Sequence, residues 1–140
     1  MDGEEKTVTQ KIHIEELPIT EAFTQRKRLI QERGELALIE DGMVFRHLGY
    51  FSLKQGKGFF RGGHYHLQKI EHFYVIGGRI RILYVDLQTG ERGQVVVKAG
   101  DCVRIEPDCA HRFEAIEDAQ VIEYYDALYD KRDDVMFQDF

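Results

Sequence analysis

The sequence has only two cysteines and two prolines, and it has no long apolar run. Cys102 and Cys109 cannot build a disulfide framework and do not form a CxxC pair, so we expect free, buried thiols in a reducing compartment. The N-terminal residues lack the apolar core of a signal peptide, and no apolar run approaches membrane-spanning length. These absences predict a cytoplasmic protein with no membrane segment.

Basic residues are the minority among the charged ones. The 19 Lys and Arg are outnumbered by 25 Asp and Glu, which gives a formal net charge of -6. An acidic surface repels phosphate backbones and anionic lipid, so nucleic acid and membranes are disfavoured as partners. The net charge does not exclude a local basic pocket for an anionic small molecule. The length of 140 residues, 43% of them hydrophobic, predicts one globular domain over residues 1–140.

Short apolar runs separated by glycine dominate the chain from Arg33 onward. Arg79–Val85 alternates apolar and other residues with the period of a strand, and Gly77-Gly78 indicates a turn. Such a pattern without a convincing long helix predicts an all-β antiparallel sandwich or barrel, with its core at about residues 33–126. Residues 1–32 are expected to form an arm, or an edge strand with a loop. The acidic, aromatic tail, residues 126–140, is expected to form a C-terminal helix or to pack on a neighbouring subunit.

Two histidines and a glutamate follow a regular spacing between two glycines. Gly58 is followed after five residues by His64-Tyr65-His66, then after four by Glu71, and after six more by Gly78. Residues i and i+2 of a strand share a face, so His64 and His66 point the same way. Glu71 has the other parity, so a turn or bulge must lie between His66 and Glu71. Two imidazoles and a carboxylate suit a divalent transition metal.

A second segment supplies a fourth candidate ligand. Gly100 is followed by a predicted strand, a tight turn and His111, which opens another strand. Cys109 could approach a metal there, although a buried, inert thiol is the simpler reading. His72 and Tyr65 should face away from the site because of their parity.

Together the two segments resemble the paired motifs of cupins. The first match is complete, whereas in the second Glu106 and Asp108 stand where proline and glycine are usual. The resemblance implies a cupin jelly-roll β-barrel with one divalent ion (Zn, Fe, Mn or Ni) held by His64, His66, Glu71 and His111. It also implies a homodimer, in keeping with exposed strand edges that favour pairing.

Two shorter stretches resemble cupins that act on nucleotide sugars. The stretch from Arg33 to Glu40 is similar to one near the start of nucleotide-sugar 3,4-ketoisomerases, and Arg61 to His66 looks like their RGxHxH. His64 to Phe73 resembles a stretch of capsular-sugar reductase/epimerases, whose cupin domain uses a metal. The ketoisomerases are not thought to need one and have a shorter HxH-to-Glu spacing.

These resemblances imply an isomerase or epimerase of a nucleotide-linked 4-keto-6-deoxy sugar, in surface-polysaccharide biosynthesis. His64 and His66 would be catalytic, as metal ligands or as the base itself, and Arg33 and Arg61 would bind the diphosphate. Two alternatives stay open: a metal-dependent dioxygenase, which the same ligands could support, and a non-catalytic module that binds a sugar or small ligand.

Overall fold

The computed structural model describes residues 5–140, and over that range it contains β-strands and one 3-10 turn but no α-helix. The all-β prediction is therefore confirmed. Nothing over those residues is a helix of the length and apolarity needed to cross a membrane. The strands are β1 Glu5–Thr9, β2 Ile12–Glu16, β3 Lys27–Gln31, β4 Gly34–Leu38, β5 His47–Leu53, β6 Arg61–His66, β7 Glu71–Asp86, β8 Arg92–Lys98, β9 Asp101–Ile105, β10 Cys109–Tyr125 and β11 Asp134–Met136.

Two long, antiparallel strands, β7 and β10, pass through both faces of the molecule. The first part of β7 pairs with β9 and the last part with β8. The first part of β10 pairs with β6 and the last part with β5. Apolar side chains fill the space between the two faces, as expected for a jelly roll. The main core residues are Ile12, Ile14, Phe73, Val75, Ile80, Ile82, Val97, Val103, Phe113 and Val121.

The predicted turn at Gly77-Gly78 is wrong, because β7 continues through both glycines. The pairing of β7 with β10 is irregular here, with register shifts between Ala115 and Val121. Gly78 has a φ of +84°, a conformation that glycine adopts without strain. The two glycines therefore form a bulge at which β7 bends from one face to the other.

The N-terminal region contains strands, and β1 lies at the edge of the larger sheet, in agreement with the edge-strand alternative. Strand β2 pairs with β9 and places Ile12 and Ile14 in the core, so the barrel includes residues before Arg33. Strands β3 and β4 form a separate two-stranded sheet. The first four residues of the predicted arm lie outside the described residues.

The C-terminal tail forms a strand where a helix was one expectation. A 3-10 turn, Lys131–Asp133, leads into β11, which pairs antiparallel with β6. The tail thus lies beside the strand that carries His64 and His66.

Candidate metal centre

The four predicted ligands come together inside the barrel. One side-chain ligand atom from each of His64, His66, Glu71 and His111 lies within 4.8 Å of the others. His64 and His111 are direct neighbours across the pairing of β6 with β10. Glu71 opens β7 after a loop that reverses the chain, as its parity requires. The structure thus brings the four predicted residues together, and their binding of a metal stays a prediction.

Glu71 is the centre of this cluster. Its Oε1 lies 2.8 Å from His66 Nε2 and 3.1 Å from His111 Nε2. The side chains of these three residues are at most 5% exposed, whereas that of His64 is 21% exposed. His64 is therefore the member of the cluster that is most exposed to solvent.

Each imidazole has its Nδ1 next to an oxygen. His66 Nδ1 lies 2.9 Å from the carbonyl of Asp133, and His111 Nδ1 lies 3.0 Å from the carbonyl of Cys109. His64 Nδ1 lies 2.8 Å from Asp134 Oδ1. A proton on each Nδ1 would satisfy these oxygens and leave Nε2 as the nitrogen with which each ring could bind an ion. Metal-ligating histidines are oriented in this way in proteins.

The pKa shifts follow from burial and from these contacts. Burial, then the neighbouring His111, lowers the pKa of His64 to about 4. Burial alone would lower the pKa of His66 and raise that of Glu71. For His66, the contact with Glu71 outweighs burial, so its pKa is raised. For Glu71, the contacts with His111 and His66 outweigh burial, so its pKa is lowered. An ionised Glu71 is thus retained in an interior where burial opposes its charge.

These residues fit a divalent transition metal. His111 Nε2 is fully buried and has no aligned hydrogen-bond donor or acceptor over residues 5–140, although Glu71 is close. An unpaired buried nitrogen is costly unless something binds it. Three imidazoles with outer oxygen partners and one ionised carboxylate form a donor set that suits zinc, iron, manganese or nickel.

The turn before His111 accounts for one departure from the cupin motif. Asp108, which stands where glycine is usual, has a φ of +60°, and it is the one non-glycine residue between positions 5 and 140 with a positive φ. Aspartate tolerates this left-handed conformation better than most residues. Its backbone N–H donates to the carbonyl of His66 at 2.8 Å, so the turn still joins the two motifs.

The sequence reasoning missed Asp133 and Asp134, which join the tail to the cluster. Asp133 accepts hydrogen bonds from the backbone N–H groups of Leu67, Gln68 and Lys69, in the loop between His66 and Glu71. No local sequence pattern indicates that Asp133 holds this loop, because the contacts join residues more than 60 positions apart.

It also missed Glu123 and His47. Glu123 lies on β10 opposite Phe73 of β7 and Gly49 of β5. Glu123 Oε1 and His47 Nε2 lie 3.2 and 3.3 Å from the position that a Cβ on Gly49 would occupy, so the two side chains converge there. Burial, then the charge of Glu71, raises the pKa of Glu123. The alternation of Val121, Glu123 and Tyr125 on β10 was the signal that could have found it.

The two arginines predicted to bind substrate lie apart. Arg61 Nε and Nη2 donate to the carbonyl of Ser52, and its guanidinium lies 5.9 Å from the ring of Phe51, which packs on Phe113 inside the barrel. Arg33 lies at the tip of the hairpin of β3 and β4, where it donates to Gln31. The contacts described for Arg33 do not link it to the cluster.

The remaining expectations concern residues near the motifs. Tyr65 packs on Phe137 of the tail, and His72 stacks on Tyr124, a residue outside the cluster. Cys109 is fully buried, and burial raises the pKa of its thiol to about 12. These residues are not among the four that converge.

Comparison with known proteins identifies the family. A profile of the cupin domain matches residues 50–126, more than half of the chain and including all four clustered residues. The chain belongs to the cupin family. No match is found among curated proteins.

Solved structures that resemble this cupin support the same fold. A 3,4-ketoisomerase variant from Thermoanaerobacterium thermosaccharolyticum, in complex with TDP-4-keto-6-deoxyglucose, has 15% identity and a TM-score of 0.71, and the match covers 91% of this chain and 88% of that chain. A dTDP-4-dehydrorhamnose 3,5-epimerase from Sulfolobus tokodaii has 21% identity and a TM-score of 0.70, covering 96% and 81%. A TDP-quinovose 3,4-ketoisomerase from Campylobacter jejuni has 14% identity and a TM-score of 0.69, covering 91% and 93%.

Proposed function

We propose that this cupin binds one divalent metal ion at His64, His66, Glu71 and His111 and is an isomerase or epimerase of a nucleotide-linked 4-keto-6-deoxy sugar. The observation that carries the proposal is the buried cluster with its outer oxygen partners. The fold relatives, described as acting on TDP sugars, support the substrate class. We place the reaction in the cytoplasm, in surface-polysaccharide biosynthesis.

The reaction starts with removal of a proton from carbon 3 of the sugar, next to its carbonyl. The electron pair of the C–H bond forms an enolate, whose negative charge lies on the carbonyl oxygen. A bound divalent ion would act as a Lewis acid toward that oxygen. Return of the proton to the other face of carbon 3 gives an epimer. Return of the proton to carbon 4, with transfer of the 3-hydroxyl proton to the oxygen on carbon 4, gives the 3-keto isomer with a 4-hydroxyl.

Glu123 is our candidate for the group that carries the proton. If His64 and His66 hold the ion, as we propose, they are not free to act as the base. Glu123 lies on the inner side of β10 in a partly buried site. Its carboxyl group has no hydrogen bond or ion pair among the described residues, and it approaches His47 beside Gly49. A carboxyl group with a raised pKa is a better base and acid near neutral pH. The pair Glu123 and His47 could pass the proton between two positions of the sugar.

Arg61 is the better supported of the two arginines for binding the diphosphate. It lies three residues before His64. Its Nε and Nη2 donate to a single carbonyl oxygen, that of Ser52, so other N–H groups of the guanidinium remain for a phosphate. Arg33 remains a proposal from the family resemblance alone. Arg61→Ala should raise KM with little change in kcat, because contacts far from the reacting carbon bind substrate and transition state alike.

Exchange of solvent deuterium into carbon 3 of a nucleotide 4-keto sugar tests the proposal. We expect exchange by the wild-type protein loaded with metal, and a loss of about 100- to 10,000-fold in the Glu123→Gln variant with metal binding retained. Arg61→Ala at saturating substrate is the matched control, with exchange largely preserved.

Absence of exchange with several nucleotide 4-keto sugars would contradict the isomerase proposal. The three histidines and one carboxylate also suit a metal-dependent dioxygenase. Oxygen uptake would then separate that activity from a module that only binds a small ligand.

A further inference from the structure

The last turn and strand of the chain lie directly against the metal-binding strand. This tail segment, residues 130–137, pairs Asp134 with His66 and Met136 with His64 in the register of β11 on β6. The backbone N–H of Phe137 donates to the carbonyl of Gly63 at 2.9 Å. The tail segment therefore follows β6 along both histidines of the HxH motif.

Asp133 attaches the tail segment to the loop that follows β6. Its carboxylate accepts three backbone hydrogen bonds, from Leu67, Gln68 and Lys69, at 2.8–3.2 Å. Its carbonyl faces His66 Nδ1 at 2.9 Å. One residue of the tail thus contacts a candidate ligand and also the loop that leads to the next ligand.

Asp134 contacts the most exposed of the four ligands. Its Oδ1 lies 2.8 Å from His64 Nδ1 and 3.9 Å from His66 Nδ1. This oxygen is inaccessible to solvent, and no donor over residues 5–140 is aligned to form a hydrogen bond with it. A buried carboxylate oxygen without an aligned donor is costly, and the nearest N–H that could satisfy it is that of His64.

We propose that Asp134 is a positioning residue for the metal centre and that the tail segment completes this centre. The proposal rests on the metal site of the proposed function. Asp134 holds His64 with Nδ1 of the ring protonated and Nε2 directed to the ion. The negative charge of Asp134 also makes the imidazole a stronger electron-pair donor to the ion. His64 needs this support most, because the other two histidines are held by backbone carbonyls in the interior.

A coupling between the ion and the tail follows from this arrangement. An ion that binds better when His64 is oriented must also bind better when the tail segment is docked. By linkage, the bound ion then stabilises the docked tail by the same free energy. Hydrogen exchange of the amides in β11 should therefore slow when metal binds, more than exchange in β1 and β2, which contain none of the four ligands.

The test compares Asp134→Ala and Asp134→Asn with a control, Asp126→Ala. Asp126 belongs to the same acidic tail, but it is half exposed and pairs with Arg46 on the surface. Zinc affinity is measured by competition with a coloured chelator on the full chain. Cobalt absorption spectra report ligand geometry, and unfolding of the metal-free proteins reports any purely structural role.

We expect Asp134→Ala to weaken zinc binding by about 10- to 100-fold, in the range for groups that orient metal ligands. Asp134→Asn should lose less, because an amide oxygen can also accept a hydrogen bond from Nδ1, and Asp126→Ala should not change the affinity. Altered cobalt spectra should accompany the loss in Asp134→Ala. If Asp134→Ala and Asp134→Asn only lower metal-free stability and bind zinc like wild type, the positioning role is overturned while the metal site stands. No zinc binding by the wild-type chain would overturn both.

Discussion

Replacing Gly78 by alanine tests the crossing of β7 from one face of the barrel to the other. At this residue φ is +84°, and an added Cβ would lie 2.7 Å from Ala119 Cα and even nearer to the carbonyl oxygen of Asp118. Both neighbours are backbone of β10, which is paired and cannot rotate away. The substitution thus combines a disfavoured backbone conformation with a steric overlap.

The two costs can be separated. A left-handed conformation costs a residue with a Cβ about 1–2 kcal/mol. Forcing an extra carbon into a packed site costs about 1–3 kcal/mol more. Gly90→Ala is the matched control, because Gly90 has a φ of +78° but nothing within 4 Å of the added carbon. It should lose only the conformational part.

The assay is urea unfolding of both variants at equal protein concentration, followed by tyrosine fluorescence, since the chain has no tryptophan. We expect Gly78→Ala to lose about 2–5 kcal/mol of unfolding free energy and Gly90→Ala about 1–2 kcal/mol. Equal losses would refute the close approach of β7 and β10 at Gly78. They would instead favour an open turn there, as the Gly-Gly pair suggests.

Other predictions concern a buried ion pair and the assembly. Lys11→Ala should cost about 3–5 kcal/mol, because Lys11 Nζ pairs with buried Asp86 at 2.8 Å, whereas the half-exposed Lys98→Ala should cost at most about 1 kcal/mol. Burial raises the pKa of Asp86, but the bond from Lys11 outweighs it and lowers the pKa, so this stabilisation should fade as pH falls below about 4. We also expect light scattering to give the mass of a homodimer, and a monomer mass at micromolar concentration would contradict this.

The convergence of His64, His66, Glu71 and His111 could be predicted because the spacing of the two motifs determines it. The period of a strand puts His64 and His66 on one face, and the parity of Glu71 requires a reversal that the structure contains. Asp108 shows how a changed motif can keep its geometry, since the residue that replaces glycine still adopts a positive φ.

The parts that could not be predicted depend on pairing between distant residues. A three-residue strand such as β11 has too little pattern to be recognised, and its position follows from backbone bonds to β6 and from Asp133. Gly77-Gly78 indicates a turn by local rules, yet tertiary pairing with β10 makes it a bulge. Alternation with Val121 and Tyr125 could have placed Glu123 on the inner face of β10, but its position opposite Gly49 follows only from the register of β10 on β5.

The most direct test of the metal centre is the zinc affinity of the stripped wild-type protein beside two histidine variants. We expect one ion per chain for wild type, a loss of at least about 100-fold in affinity for His66→Ala with the fold retained, and no change for His13→Ala. His13 lies on β2, outside the cluster, and serves as the control. Full zinc affinity in the His66→Ala variant, or no zinc binding by the wild-type chain, would contradict the proposed centre.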